Sequence, residues 1–238
     1  GDYGRKTGSN LLALLRELDR VSSVDRFRVS SIEPNLLSPE LIDFIIGSVK
    51  FVNHFHVPLQ SGSDEVLGWM KRRYTRDRYA EIVSAIRNAN PSAGIGADVI
   101  TGFPGETDHH FGETLDFISG LGLSYLHVFT YSERENTPAP GMRNPVEPRI
   151  RYHRSDRLRE FGRRIRADFN GTMLGRTADV LLESPQADGV TSGWTSNYVR
   201  VGVRGARHLV NRIVPVTITS TAGDLCLGRP AEETVPIC

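Results

Sequence analysis

Short apolar runs alternate with amphipathic stretches through the first part of the chain. The runs that favour β-strands are Phe27–Ile32, His54–Leu59, Ile95–Phe103 and Tyr125–Tyr131. Helical periodicity separates them, and a leucine stripe over residues 11–18 precedes the first run. Strands that alternate with helices predict βαβ units, and therefore an α/β fold with a parallel sheet. The polar side chains that follow these strands should meet at one edge of that sheet.

Capping residues indicate where the helices begin and end. The predicted N-caps are hydroxyl residues that stand directly before a helical pattern: Ser38, Ser63, Thr75 and Thr107. Asn90, followed by a proline, and Gly120 are predicted to end two of these helices.

Residues 141–173 are rich in arginine. They contain nine arginines and four acidic residues, and nine minus four gives a local charge of +5. Apolar residues recur at helical spacing from Leu158 to Phe169, which predicts an amphipathic helix with a basic outer face. Such a face is often only solvated, but arginine without lysine favours contact with phosphate.

The pattern changes to period two after Gly175, in ADVLLES, NYVRVGVRG and IVPVTITS. This alternation predicts a small antiparallel β module. The sequence therefore predicts two domains, residues 1–173 and residues 174–238.

Composition adds only broad limits. The 238 residues are 39% apolar and 24% charged, with a net charge of +1, as in ordinary globular proteins. The longest apolar run contains Asp43 and is too short to span a bilayer, so no membrane association is expected. Two cysteines, Cys226 and Cys238, do not make a disulfide framework, and a cytoplasmic location is expected.

Polar residues at the end of the second strand are the first candidates for chemistry. His54 and His56 share one strand face, and two histidines without a third ligand are a weak metal signal. Packed, hydrogen-bonded histidines are the expectation. Pro58 has no N–H and should end the ladder, which frees Gln60 and Ser61 either for a turn or for a ligand.

The corner Thr101-Gly102-Phe103-Pro104-Gly105-Glu106-Thr107 is a second candidate. Its glycines allow a ligand to approach the backbone closely, although a glycine corner alone is weak evidence. It lacks the Gly-Lys-Ser/Thr of a P-loop.

Taken together, four segments resemble one known family. They are SSIEPNLLSPELI, HFHVPLQSGSDEVLGWMKRRYTRDRY, DVITGFPGETDHHFGETLDFI and LHVFTYSERENTPA. In order and spacing they resemble the radical SAM tRNA methylthiotransferases (the MiaB-like family), and the tail from residue 174 resembles the RNA-binding TRAM domain. SSIEPN and the last segment look most like the branch that acts on threonylcarbamoyladenosine. The isopentenyladenosine branch is the runner-up, and the branch that modifies a ribosomal protein is less similar.

The resemblance implies a partial TIM-like barrel that binds S-adenosylmethionine beside a 4Fe-4S cluster, with tRNA and not DNA as partner. It places Gln60 and Ser61 at the ribose or methionyl part of the cofactor. It places Asp98 and Gly102 beside the adenosyl group, and Phe129 and Tyr131 next to the adenine. Arg134 is then a candidate substrate contact, and the tRNA contacts are expected on the basic helix at Arg159, Arg163 and Arg166.

The chain departs from the family in its cysteines. The family holds one cluster with a CxxxCxxC loop and a second cluster with three further cysteines, and neither set occurs here. No metal ligand is therefore predicted, and we expect the C-terminal part of a methylthiotransferase, without its first barrel strands and inactive alone. The alternatives are an RNA-binding remnant without chemistry and an unrelated barrel enzyme that uses His54 or His56 as a base.

Overall fold

The structure is a computed structural model that describes residues 3–4, 6–135 and 137–231. The chain divides into two compact units, Gly1–Gly162 and Arg163–Cys238. The predicted domain limits, 1–173 and 174–238, mark the change of sequence pattern and stay a prediction. Cys238 and part of the opening segment GDYGRKTGSN lie outside the described residues.

The first unit contains a three-stranded parallel sheet and α-helices that precede and follow its strands. Its strands are β1 His54–His56, β2 Gly94–Thr101 and β3 Tyr125–Thr130, in the order β1-β2-β3. The helices are α1 Leu11–Asp19, α2 Pro39–Gly47, α3 Asp64–Trp69, α4 Arg76–Ala89, α5 Asp108–Ser119 and α6 Pro148–Gly171, the last of which continues into the second unit. Within the described part of the chain, no helix is long and apolar enough to cross a bilayer.

The prediction of a strand at Phe27–Ile32 is wrong. Phe27 forms a bridge to Phe51, and further along the extended chain Ile32 N–H donates to the carbonyl of His56 at 3.0 Å. These two contacts, with Phe51 before β1 and with His56 in β1, lie at the two ends of the segment. A continuous ladder therefore does not form.

Local capping signals were reliable in three cases of four. Ser38, Thr75 and Thr107 each accept a hydrogen bond from the backbone N–H three residues further on, at 3.3–3.4 Å. Ser63 occupies the N-cap position of α3 but makes no side-chain cap bond. Its own N–H donates to the hydroxyl of Ser61 at 3.2 Å, so the polar turn before α3 is ordered by Ser61 instead.

The second unit is built around a closed five-stranded barrel. Its strands are β4 Thr177–Pro185, β5 Val190–Thr195, β6 Arg200–Arg204, β7 Ile213–Ala222 and β8 Leu225–Pro230, in the order β4-β5-β6-β8-β7. Valines and other apolar residues from alternate positions fill its core, together with the buried Cys226. The predicted antiparallel pairing holds except between β6 and β8, which run parallel. The sequence pattern missed β5 and β8, which are short and rich in glycine or polar residues.

Candidate functional site

One face of the parallel sheet collects most of the polar strand residues. Gly96 lies opposite Tyr125, Asp98 opposite His127, and Ile100 opposite Phe129. Because strand side chains alternate between faces, these pairs lie on the same side of the sheet. The face is polar near the start of the strands and becomes apolar toward their carboxyl ends.

Tyr125 connects the two histidines of β1. Its hydroxyl lies 2.8 Å from Nε2 of His54 and 2.9 Å from Nδ1 of His56. The tyrosine ring crosses β2 above Gly96, where a Cβ atom would overlap the ring. The two histidines therefore share a strand face and a hydrogen-bond partner, as expected for packed histidines.

Asp98 joins a second pair of histidines. Its Oδ1 lies 2.9 Å from Nε2 of His56 and 3.3 Å from Nδ1 of His127. Burial alone raises the pKa of Asp98, but hydrogen bonds from His127 and His56 outweigh burial and hold that pKa well below its usual range. His127 was not among the predicted site residues. Its position two residues before Phe129 in a strand is the signal that places it on this face.

Gln60 adopts a left-handed backbone conformation, with φ at 68°. Its N–H donates to the carbonyl of Asp98 at 2.8 Å, and its own carbonyl accepts from Ile100 N–H at 2.9 Å. Backbone pairing with β2 therefore resumes after Pro58 instead of ending there. The side chain of Gln60 is largely buried, and its contact with a cofactor stays a prediction.

Ser61 is buried beneath α5. Its hydroxyl lies 3.4 Å from that of Thr114 and accepts the Ser63 N–H. Both partners belong to the protein fold. A cofactor contact of Ser61 stays a prediction that this packing does not favour.

The Gly102 corner is occupied by the protein itself. Gly102 has φ at 77°, which favours glycine, and a Cβ atom there would overlap the side chain of Arg151. Its N–H donates to Oε1 of Glu106 at 2.9 Å. Glu106 therefore holds the turn in place, and the glycine makes room for an arginine.

Two arginines of α6, Arg151 and Arg154, are buried. The predicted basic outer face of the helix therefore does not include them. Arg151 donates from Nε to the carbonyl of Val146 at 2.6 Å and pairs with Glu133 at 2.7 Å. Arg154 pairs with Glu106 at 2.6 Å and with Asp108 at 2.7 Å. The apolar stripe was identified correctly, but the buried side of α6 also includes these arginines, because carboxylates balance their charge and backbone carbonyls accept their hydrogen bonds there.

A cavity of about 650 Å³ opens at the carboxyl ends of β2 and β3. Its lining includes three predicted site residues, Phe129, Tyr131 and Arg134, together with Arg72 and Ile100. Trp69 and Lys71 also line the cavity. The size is typical of sites for small ligands.

The other predicted site residues lie elsewhere. Gln60, Ser61, Asp98 and Gly102 are not part of the cavity lining. Asp98 faces His56 and His127 on the same sheet face. The sheet thus presents a cavity and a separate histidine–aspartate cluster.

Two buried polar atoms belong to residues that line the cavity. Among the residues that the structure describes, the hydroxyl of Tyr131 and Nε of Arg72 have no hydrogen-bond partner. Unpaired buried polar atoms are costly, and a polar ligand that reached these atoms would pair them. The cavity therefore fits a ligand with both an aromatic and a polar part.

The three arginines predicted to contact tRNA lie on α6. Arg159 and Arg163 are exposed and Arg166 is half-buried. Arg159 pairs with Asp156 at 3.1 Å, an exposed contact one helical turn away. These positions are compatible with a basic surface along the helix.

Comparison with known proteins identifies the class of the first unit. Residues 3–118 match the Radical SAM superfamily. The structure resembles HemN from Escherichia coli, a radical SAM coproporphyrinogen III oxidase, with a TM-score of 0.51 and 14% sequence identity. That likeness covers 78% of this chain and 48% of HemN and concerns the fold alone. The chain therefore contains a radical SAM domain, and the predicted fold class is confirmed.

Sequence relatives extend the match beyond that domain. The chain is 36% identical to the threonylcarbamoyladenosine tRNA methylthiotransferase MtaB of Bacillus subtilis, over 92% of this chain and 50% of the relative. It is 37% identical to the tRNA-2-methylthio-N(6)-dimethylallyladenosine synthase of Symbiobacterium thermophilum, over 94% and 48%. The predicted relationship to the methylthiotransferases is confirmed. The chain spans about half the length of the curated relatives it matches, and the two identities do not separate the two branches.

Radical SAM proteins use S-adenosylmethionine and a 4Fe-4S cluster, and the two groups fit this chain differently. The cavity, with its aromatic wall and unpaired polar atoms, fits the cofactor. The cluster needs several thiolates, and the chain has only two cysteines. One of them, Cys226, lies inside the barrel, where burial raises the pKa of its thiol. The residues of this chain do not supply a ligand set for the cluster.

Proposed function

We propose that the chain is the part of a tRNA methylthiotransferase that binds S-adenosylmethionine and the target nucleoside. The reaction would add a methylthio group to a threonylcarbamoyladenosine next to the anticodon. The observation that carries this proposal is the cavity at the carboxyl ends of β2 and β3, in a radical SAM domain related to MtaB. Because tRNA is the proposed substrate, we place the protein in the cytoplasm.

The cavity offers distinct surfaces to the two ligands. Ile100, Phe129 and Tyr131 form an apolar and aromatic wall, which suits a purine ring. When bound, S-adenosylmethionine would supply the methyl group. Gln60, which bridges to Val99 of β2, is the proposed polar contact toward the ribose or methionyl part of the cofactor, and Gly102 keeps the adjoining corner open for Arg151. The predicted position of Asp98 beside the adenosyl group is not part of this proposal, because Asp98 faces His56 and His127.

Cationic residues favour the threonylcarbamoyl branch. Lys71, Arg72 and Arg134 all line the cavity. A threonylcarbamoyl group carries a carboxylate, which an arginine can bind through two parallel hydrogen bonds. A dimethylallyl group is apolar and gains nothing from these charges. We therefore assign Arg134 to the substrate carboxylate.

The first test compares three anticodon stem-loop RNAs that differ only in the target adenosine: threonylcarbamoylated, dimethylallylated or unmodified. We expect the chain to bind the threonylcarbamoylated RNA most tightly in a fluorescence anisotropy titration. Arg134→Ala should weaken binding of the threonylcarbamoylated RNA about five- to tenfold, where tenfold corresponds to about 1.4 kcal/mol. The affinities for the other two RNAs should not change.

Arg143→Ala is the matched control for this test. Arg143 is exposed and is not part of the cavity lining, so its loss should not change the preference among the three RNAs. A preference for the dimethylallylated RNA, or equal losses for all three RNAs in Arg134→Ala, would reject the assignment of Arg134.

The basic surface of α6 is the proposed tRNA-binding face, together with the TRAM-like barrel. Contacts to phosphate weaken with salt, with a log–log slope of about −0.7 to −0.9 per contact. Replacing Arg159, Arg163 and Arg166 by alanine should make the slope for tRNA binding shallower by about two units. An unchanged slope and affinity would show that this face is only solvated. The surface would also serve the alternative function, an RNA-binding protein without chemistry, which the cavity at the carboxyl ends of β2 and β3 does not favour.

A further inference from the structure

The histidine–aspartate cluster on the sheet face is separate from the cavity. We propose that His56, Asp98 and His127 bind one divalent first-row transition-metal ion, of which Zn²⁺ is the representative. The proposal rests on side-chain geometry alone. It requires neither S-adenosylmethionine nor tRNA, so it stands or falls independently of the proposed function.

The three ligand atoms are close enough to share an ion. One nitrogen from each histidine and one oxygen of Asp98 lie within 4.8 Å of one another. Asp98 Oδ1 is 2.9 Å from His56 Nε2 and 3.3 Å from His127 Nδ1. Ligand bonds of about 2.0–2.2 Å in a tetrahedral site place neighbouring ligand atoms roughly 3.3 Å apart, so these two separations need little change.

The cluster has the surroundings that orient a ligating histidine. When His56 binds through Nε2, its Nδ1 carries the proton and can donate to the Tyr125 hydroxyl, 2.9 Å away. That hydroxyl can in turn donate to Nε2 of His54 at 2.8 Å. Such outer partners fix the tautomer and the ring orientation of metal-binding histidines. Gly96 makes this possible, because any larger residue would overlap the tyrosine ring.

The exposure of the cluster and the types of its ligands are also suitable for a metal ion. The side chain of His127 is 49% exposed and that of His56 is 10% exposed, so one ligand is fixed while the other can move to admit the ion. Two imidazoles and a carboxylate suit zinc and non-haem iron, and three protein ligands leave a coordination position open. The sequence offered His54 and His56 without a third ligand. The structure keeps His54 outside the site and gives His56 two partners from other strands.

The test uses the untagged 238-residue chain after treatment with a chelator. We expect Co²⁺ to bind in a 1:1 ratio, with visible absorption typical of nitrogen and oxygen ligands, and Zn²⁺ to displace it. His127→Ala and Asp98→Asn should each weaken binding at least tenfold. Tyr125→Phe should weaken it about tenfold, because it removes an outer hydrogen bond and no ligand.

Controls separate this site from adventitious binding and from unfolding. His109→Ala removes an exposed histidine beside Glu113 and should bind Co²⁺ like the wild type. Circular dichroism of each variant reports whether it is folded. If Asp98→Asn unfolds, His127→Ala still tests the site, because it changes a half-exposed side chain and should remain folded. Failure of the wild type to bind a stoichiometric ion overturns the proposal. So does wild-type affinity in folded His127→Ala, or thiolate-to-Co²⁺ charge transfer, which would locate the ion at a cysteine.

Discussion

Replacing Arg154 by methionine should lower the free energy of unfolding by about 3–5 kcal/mol. Arg154 and Glu106 are 5% and 3% exposed, and their side chains meet at 2.6 Å. Arg154 also donates to the backbone carbonyl of Glu106 at 3.0 Å. Methionine fills much of the same volume but leaves the Glu106 carboxylate buried without its cation. Urea denaturation followed by circular dichroism measures the change.

Arg159→Met is the matched control on the same helix. Arg159 pairs with Asp156 at the surface, so its loss should cost less than about 1 kcal/mol. Adding Glu106→Gln to Arg154→Met should restore part of the lost stability, because it removes the stranded charge. Equal effects of the two arginine substitutions would mean that the buried pair contributes no more than a surface pair.

Gly96→Ala should destabilise the protein by about 1–3 kcal/mol, the usual cost of overpacking. The added methyl group would overlap the ring of Tyr125. The ring must then move, and its hydroxyl would lose the bonds to His54 and His56. We expect shifted histidine ring signals in the NMR spectrum as well as a lower midpoint of denaturation.

A glycine-to-alanine substitution in α5 should instead raise the free energy of unfolding. Gly112 is a helical residue with no atom within 4 Å of a Cβ added there. Gly112→Ala should therefore stabilise the protein by about 0.5–1 kcal/mol, through the higher helix propensity of alanine. If Gly96→Ala is as well tolerated as Gly112→Ala, the packing of Tyr125 does not constrain the sheet.

Signals contained in a few neighbouring residues were enough to predict much of the fold. Ser38, Thr75 and Thr107 mark helix starts, because an N-cap needs only a hydroxyl and the N–H three residues later. The strand prediction at Phe27–Ile32 failed, because its apolar composition does not show where the partner strand runs. The strand β8 went unnoticed for a different reason, since its six residues, LCLGRP, show no alternation of apolar and polar side chains.

The candidate site was partly predictable. Phe129, Tyr131 and Arg134 line the cavity, and they were found through the family resemblance of the segment that contains them. The histidine–aspartate cluster depends on pairing between strands that are distant in sequence. Asp98 meets His127 only because β2 and β3 share a register, and no spacing along the chain encodes that contact.

Arg154 was expected at the surface and is buried. Arginine on an amphipathic helix was assigned to solvent, yet its partners Glu106 and Asp108 come from the corner before α5. Charge counts along α6 include only charges on the helix itself. They overestimate the cationic surface wherever a carboxylate from another element is buried against it.

The barrel and the parallel sheet differ in whether their outer strands have an unpaired edge. This difference affects the behaviour of the protein at high concentration. The barrel closes on itself, since β7 pairs with both β4 and β8 and leaves no unpaired edge. In the parallel sheet, β3 pairs with β2 alone among the described strands. No other described strand pairs with the backbone N–H and C=O groups of its outer edge, and such an edge is a template for another extended chain. Self-association in concentrated solution should therefore begin at β3, and additives or partners that cover this edge should keep the chain monomeric.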